Sequence, residues 1–229
     1  MSTRSACDWL SLAPNCADHP MLAFEIQAAR AGSRAIAGVD EAGRGALAGP
    51  LVAAAVMLGE PVDGVDDSKR LTEARRNELF DILMAGPHAI AVDAVAADAI
   101  DANGIQSANY LAMARSLEQL DPQPDFALVD GFTIRGCILP QLRIVKGDQR
   151  SQSIAAASII AKVTRDRILV DLDTRFPEYG FARHKGYGTR EHIAAIESHG
   201  PSAVHRRSFA PIAQAHETLH LFETKDVPA

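Results

Sequence analysis

Apolar positions along the chain change period several times, and each change predicts an element. Residues 22–29 carry apolar side chains at helical spacing. Residues 35–39, Ala-Ile-Ala-Gly-Val, form a short apolar run that predicts a buried strand ending at Asp40. A glycine-rich turn, Ala42-Gly43-Arg44-Gly45, follows, and Gly49-Pro50 leads into a second apolar strand over 51–58. Thr72 is placed to cap a helix over 73–84, with Glu73 in its first turn. Residues 89–96 predict a third strand. Residues 105–120 predict a helix with Leu111, Ala114 and Leu117 on one face, stopped by Pro122 and Pro124. Two short strands are predicted over 126–129 and 142–145, running into Asp130-Gly131 and Lys146-Gly147-Asp148. Ser151 opens a long helix over 151–175; a glycine-rich loop, 180–188, and a short helix, 190–198, follow. Strands come first, then alternation with helices, and there is no internal repeat. The order predicts one α/β domain, a mixed sheet flanked by helices with a small helical C-terminal appendage.

Residues 1–20 lack periodicity and read as a mobile N-terminal tail, with Met21 a second candidate start. The body then spans 21–211, its helical C-terminal part about 173–211, and 212–229 form a C-terminal tail.

Composition narrows the class. The chain has 229 residues, 47% hydrophobic and 23% charged, which excludes a disordered chain and allows a real core. The longest unbroken apolar run, 51–58, is far too short to span a membrane. Cys7, Cys16 and Cys137 show no C-x-x-C spacing, so neither a disulfide framework nor a zinc site is expected, and a reducing cytoplasm fits. The net charge of −6 argues mildly against a nucleic-acid partner. That average hides an asymmetry: residues 143–207 carry +5, with four of the eight histidines, and the remainder carries −11. A basic zone of this kind suits either an anionic partner or a solvated, charge-speckled surface.

Three predicted strands run into carboxylates: Asp40-Glu41, Asp130 and Asp148. If these strands are neighbours, four carboxylates converge with no cysteine partner. Such an all-oxygen set suits Mg²⁺ or Mn²⁺. Singly, each carboxylate reads better as a local cap, Asp148 above all because it precedes a helix. Gly43-Arg44-Gly45-Ala46-Leu47-Ala48-Gly49 is not a dinucleotide loop, since a strand rather than a helix follows. An arginine between two glycines suits close approach to a sugar-phosphate chain, or simply a tight turn. Lys69, in Asp67-Ser68-Lys69, Lys162 and Arg165 could meet phosphates; a solvated helix face is an equal reading for Lys162 and the better one for Arg165. Tyr187, in His184-Lys185-Gly186-Tyr187-Gly188-Thr189, could stack on a sugar and reach a 2′-OH, or pin its loop to the body. His205-Arg206-Arg207-Ser208-Phe209 reads as a basic patch.

Together these motifs resemble bacterial ribonuclease HII. The resemblance is carried by Gly38-Val39-Asp40-Glu41-Ala42-Gly43-Arg44-Gly45, Asp67-Ser68-Lys69, Val129-Asp130-Gly131 and Val145-Lys146-Gly147-Asp148. It continues through Ile154-Ala155-Ala156-Ala157-Ser158-Ile159, Ala161-Lys162-Val163-Thr164-Arg165-Asp166, His184-Lys185-Gly186-Tyr187 and Arg206-Arg207-Ser208-Phe209, covering about 35–211 in order. It implies a ribonuclease H-like fold whose helical C-terminal part helps grip the duplex. It implies that Asp40, Glu41, Asp130 and Asp148 are catalytic, metal-binding carboxylates for Mg²⁺ or Mn²⁺. Gly43, Arg44, Gly45 and Tyr187 would read the ribonucleotide, with Lys69 and Lys162 on the substrate-binding surface. The implied activity is cytoplasmic and acts on RNA–DNA hybrids and ribonucleotide-containing duplex DNA. The cut falls 5′ to a lone ribonucleotide, by two-metal-ion catalysis, leaving 3′-OH and 5′-phosphate ends. Ala46, Phe132 and Gly188 depart from residues usual in the family without removing a catalytic group. Thr218-Leu219-His220-Leu221-Phe222 faintly resembles the short peptides that dock on sliding clamps. Rival classes are a resolvase or strand-transfer enzyme acting on DNA alone, and a non-catalytic nucleic-acid binder.

Overall fold

The structure, a computed structural model, describes residues 20–210, 212 and 213. The expected tail over 1–20, apart from Pro20, and the clamp-like peptide Thr218–Phe222 lie outside the described residues. The chain divides into two compact units. The first comprises the chain up to Ala42, Val52–Ala94 and Asn109–Val163. The second comprises Gly43–Leu51, Val95–Ala108 and the chain from Thr164 onward.

The first unit is organised by a five-stranded sheet of order β3-β2-β1-β4-β5. Its strands are β1 (Ile36–Ala42), β2 (Leu51–Met57), β3 (Ala89–Val95), β4 (Phe126–Asp130) and β5 (Gln141–Ile144). β1 runs antiparallel to β2 but parallel to β4, and β4 is parallel to β5, so the sheet is mixed as expected. β1 and β2 are apolar along nearly their whole length because both faces are buried. The helices are α1 (Ala23–Arg30), α2 (Glu73–Ala85), α3 (Ala97–Asn103), α4 (Ile105–Glu118), α5 (Gln152–Arg175), α6 (Phe181–His184) and α7 (Arg190–His199).

Caps sit where hydroxyls were expected. Thr72 accepts from the Arg75 N–H at the start of α2, and Ser151 Oγ accepts from the Ile154 N–H at the start of α5. Buried Glu25, from α1, strengthens that second cap by accepting from the Ser151 hydroxyl (2.6 Å) and from the Ser153 N–H (2.9 Å). α5 then lies hard against β1. Ala155, Ala156 and Ala157 are fully buried. A Cβ on Gly38 would stand 2.2 Å from the Ser153 carbonyl carbon and 2.3 Å from the Ile154 nitrogen.

In the second unit, Leu47, Ala48, Leu169, Tyr179, Phe181, Ile196 and Ile212 form an apolar core. Ile212, which the sequence reading assigned to the tail, is fully buried there. α3 was not expected. It stops at Gly104, whose φ of +78° ends one helix and lets α4 begin at Ile105. Among the described residues no helix is long and apolar enough to cross a membrane.

Candidate active site

In the first unit, the parallel register Val39↔Val129 sets the next residues of β1 and β4, Asp40 and Asp130, side by side on one face. β5 follows in register with β4, and four residues past its end Asp148 sits in a 3₁₀ turn, Gly147–Gln149. Asp130 Oδ1 accepts from the Gly147 N–H at 2.6 Å, and the Asp148 N–H adds a second bond. That turn is tightly made: Lys146 adopts φ +55°, and a Cβ on Gly147 would meet Ile154 Cδ1 at 2.6 Å. Glu41, next on β1, is half-buried, and its N–H donates to Asp40 Oδ1 at 2.7 Å.

These carboxylates repel one another. Burial, then Glu41 and Asp130, push Asp40 well above the usual carboxylate range. Burial, then Asp130 and Asp67, push Asp148 up to about 6. Burial also raises Asp130 against the bonds from Gly147 and the nearby Lys69. Lys69 is their common counter-charge. Burial works to lower its ammonium, but Asp40, Asp67, Asp148 and Asp130 together hold it above its ordinary value. Among the described residues, no three His, Cys, Asp or Glu side chains are gathered into a ready-made metal cage. The donor set is nonetheless all oxygen and carries an excess of negative charge, which a hard divalent cation would relieve.

Three supporting groups escaped the sequence reading. Asp67 accepts from the Lys69 N–H (2.9 Å) and the Gln149 amide (3.3 Å) and faces Asp148. Ser158 donates to Asp40, and its oxygen lies 2.9 Å from the Ser68 hydroxyl, so a chain Ser68–Ser158–Asp40 orients the carboxylate. The Asp-Ser-Lys motif was the available signal for the first two. Ser158 was hidden in an alanine-rich helix. Lys162, half-buried, lies one turn beyond Ser158 on α5.

Gly43-Arg44-Gly45 and Tyr187 belong to the second unit. Gly43 has φ +91°, and a Cβ there would strike Arg165 Nε at 1.9 Å. Gly45 differs: a Cβ there would meet no described residue within 4 Å, so none of them requires glycine. Arg44 is exposed, and its guanidinium reaches the Gln106 side chain.

The expected solvated face at Arg165 is a misreading. Arg165 is fully buried and donates to the carbonyls of Pro50, Lys185 and Ala48. The basic patch at 205–209 needs the same correction. Arg206 is fully buried and donates to the carbonyls of Gly43 (2.7 Å) and Gly49 (3.0 Å). Burial and neighbouring Arg165 lower it to about 9, so it stays charged at neutral pH.

Three histidines fix the segment around Tyr187. The His192 Nδ1–H donates to the Tyr187 carbonyl (2.9 Å), so its Nε2 accepts, at 3.0 Å, from His205 Nε2–H. His205 Nδ1 in turn accepts from the Ser202 N–H (2.9 Å). His184 Nε2–H donates to the Tyr179 carbonyl, and its Nδ1 accepts from the Gly186 N–H. Burial first, then neighbouring histidines, lowers His205 to about 4; burial likewise lowers His192 to about 4.

A histidine lowered from 6.5 in the unfolded chain stabilises fully above that value, and the contribution is lost as pH falls toward 4. Each contributes about 2 kcal/mol that disappears between pH 7 and 5. The carboxylates of the first unit respond in the opposite sense, because acid neutralises their repulsion. The test is therefore local: the ring C2 protons of His192 and His205 should titrate near pH 4 by NMR. Midpoints at or above 6.5 would remove the neutral chain.

The family profile described as Ribonuclease HII matches residues 37–212. A protein of Geobacillus thermodenitrificans named ribonuclease HII is 53% identical over 197 residues, 85% of this chain and 76% of the relative. Among solved structures, the ribonuclease H2 of Pyrococcus horikoshii superposes with a TM-score of 0.69 at 27% identity, covering 81% of this chain and 98% of that one. The RNase HII of Archaeoglobus fulgidus, solved in complex with PCNA, gives 0.66 at 28% identity, covering 76% and 95%.

Proposed function

The chain belongs to the ribonuclease HII family and is an endoribonuclease of RNA–DNA hybrids; from that premise we propose that it also cuts 5′ to single ribonucleotides embedded in duplex DNA. In this reading Asp40, Glu41, Asp130 and Asp148 hold divalent cations, Mg²⁺ or Mn²⁺. Bound cations of this kind would supply an activated water and steady the departing 3′ oxygen, leaving 3′-OH and 5′-phosphate ends.

The observation that carries the reading is the β1–β4 register, which sets Asp40 beside Asp130, with Asp148 acting on Asp130 and Lys69 acting on all three. The chain's own residues then have defined work. Ser158 and the Glu41 N–H orient Asp40, and the Gly147 turn orients Asp130. Lys69 tempers the repulsion and, with Lys162, offers positive charge to the phosphates. Gly45, unobstructed by any described residue, admits close approach of the sugar-phosphate chain, with Arg44 beside it. Tyr187, 36% exposed, offers a ring to the sugar and a hydroxyl to the 2′-OH.

The catalytic domain is the 21–211 body, with residues 173–211 gripping the duplex. The setting is the cytoplasm, where such duplexes arise. A weak sliding-clamp contact would run through Thr218–Phe222; the Archaeoglobus relative was solved in complex with PCNA.

Tyr187→Phe tests the specificity. Cleavage at a lone ribonucleotide should fall about tenfold or more, the order expected for a lost hydrogen bond in a preorganised site, with a smaller effect on a continuous hybrid. Equal losses on both substrates would make Tyr187 a structural residue.

A further inference from the structure

We propose that Arg165 is a positioning residue for Tyr187: its guanidinium holds the tyrosine ring and the 43–50 turn in one arrangement and thereby sets discrimination for a ribonucleotide. The inference rests on Tyr187 being the 2′-OH contact, as proposed above.

One buried side chain ties the 48–50 end of the turn to the loop that carries Tyr187. From α5, Arg165 Nε donates to the Pro50 carbonyl at 2.9 Å, and Nη2 donates to the Ala48 carbonyl at 3.0 Å. Nη1 donates to the Lys185 carbonyl, two residues before Tyr187, at 2.9 Å. The central carbon of the guanidinium then lies over the Tyr187 ring, 5.3 Å from its centroid. Gly43 also lies against it: a Cβ there would fall 1.9 Å from Nε.

The loop that carries Tyr187 has little freedom of its own to place the ring. Lys185 and Gly186 are both left-handed, with φ +52° and +77°, and a Cβ on Gly186 would meet the Ala48 carbonyl oxygen at 2.5 Å. The Gly186 carbonyl accepts from Leu47 N at 2.8 Å, which fixes the backbone. The contact with Arg165 acts on the tyrosine side chain itself. Tyr187 is 36% exposed, so part of the residue is open to a ligand. Lysine, a point charge without a planar fork, cannot bridge three carbonyls and stack on a ring at once.

The experiment measures kcat/KM on a duplex with one ribonucleotide and on a continuous hybrid, for wild type, Tyr187→Phe, Arg165→Lys and the double variant. Arg165→Lys should lower the single-ribonucleotide to hybrid ratio about tenfold, and the double variant should fall no further than the worse single, because both act through one ring. A ratio left unchanged by Arg165→Lys, while Tyr187→Phe lowers it, overturns the inference and spares the reading of Tyr187. Multiplicative losses in the double variant also overturn it. An unchanged ratio in Tyr187→Phe removes the underlying reading instead. Should neither Arg165→Lys nor Arg165→Gln reach a wild-type circular dichroism spectrum, Arg165 serves folding only and the inference falls.

Discussion

Asp40→Asn is expected to lower cleavage of the RNA strand by more than about a thousandfold, while the variant still binds the duplex and melts at a higher temperature in EDTA. The activity estimate follows from position. Groups that merely orient a metal ligand cost about 10–100-fold when removed, and a direct ligand must cost more. The stability estimate follows from sign. Asp40 is an acid whose folded-state pKa is raised by burial, Glu41 and Asp130. Above that pKa the folded protein is therefore destabilised by the ionised form, and the neutral amide removes the strain. Asparagine keeps an oxygen for the Ser158 and Glu41 N–H donors, so the fold of β1 is retained. Opposite movement of activity and melting temperature is what a functional carboxylate cluster predicts. An active variant, or one less stable than wild type in EDTA, would count against the assignment.

Gly38→Ala is expected to cost about 3 kcal/mol or more of stability and to depress activity with it. The added Cβ would press on the main chain of Ser153 and Ile154, at 2.2–2.6 Å, where no flexible side-chain end can give way. The first turn of α5 must retreat from β1, and that helix carries Ser158, which orients Asp40 two residues beyond Gly38. Gly45→Ala is the matched contrast. Its Cβ meets no described residue within 4 Å, so urea unfolding should change by no more than about 0.5 kcal/mol, and any loss should appear in substrate affinity. Equal unfolding midpoints for Gly38→Ala and wild type would mean that α5 and β1 are not packed as described.

Much of this was legible in the chain because it is local. The apolar runs at 35–39, 51–58 and 126–129 had to be buried strands, and Ser151 and Thr72 mark helix starts through their own hydroxyls. Asp40 and Glu41 could be paired with Asp130 and Asp148 only by supposing that their strands were neighbours; their strand-end positions suggested it, and the family resemblance then implied it. Arg165 could not be read. Between Thr164 and Asp166 it looks like an ordinary charged helix face. Its partners are main-chain carbonyls up to 117 residues away, and a carbonyl leaves no trace in the residue type. Arg206 was missed for the same reason, with partners up to 163 residues distant. The neutral histidine chain was hidden too: His192 and His205 meet only because α7 and the segment after it fold together. The net charge of −6 misled in a different way. It averaged a carboxylate cluster suited to cations with a basic stretch suited to phosphate.

The most direct measurement takes three duplexes of one sequence: a continuous RNA–DNA hybrid, DNA with a single ribonucleotide, and DNA alone. Each is incubated with the full chain, with Mg²⁺ or with EDTA, and the product ends are mapped. The account predicts cutting of the first two in Mg²⁺, 5′ to the lone ribonucleotide and leaving a 3′-OH, and no cutting of DNA alone or of any duplex in EDTA. Cleavage of the all-DNA duplex, or cleavage that persists in EDTA, would contradict it.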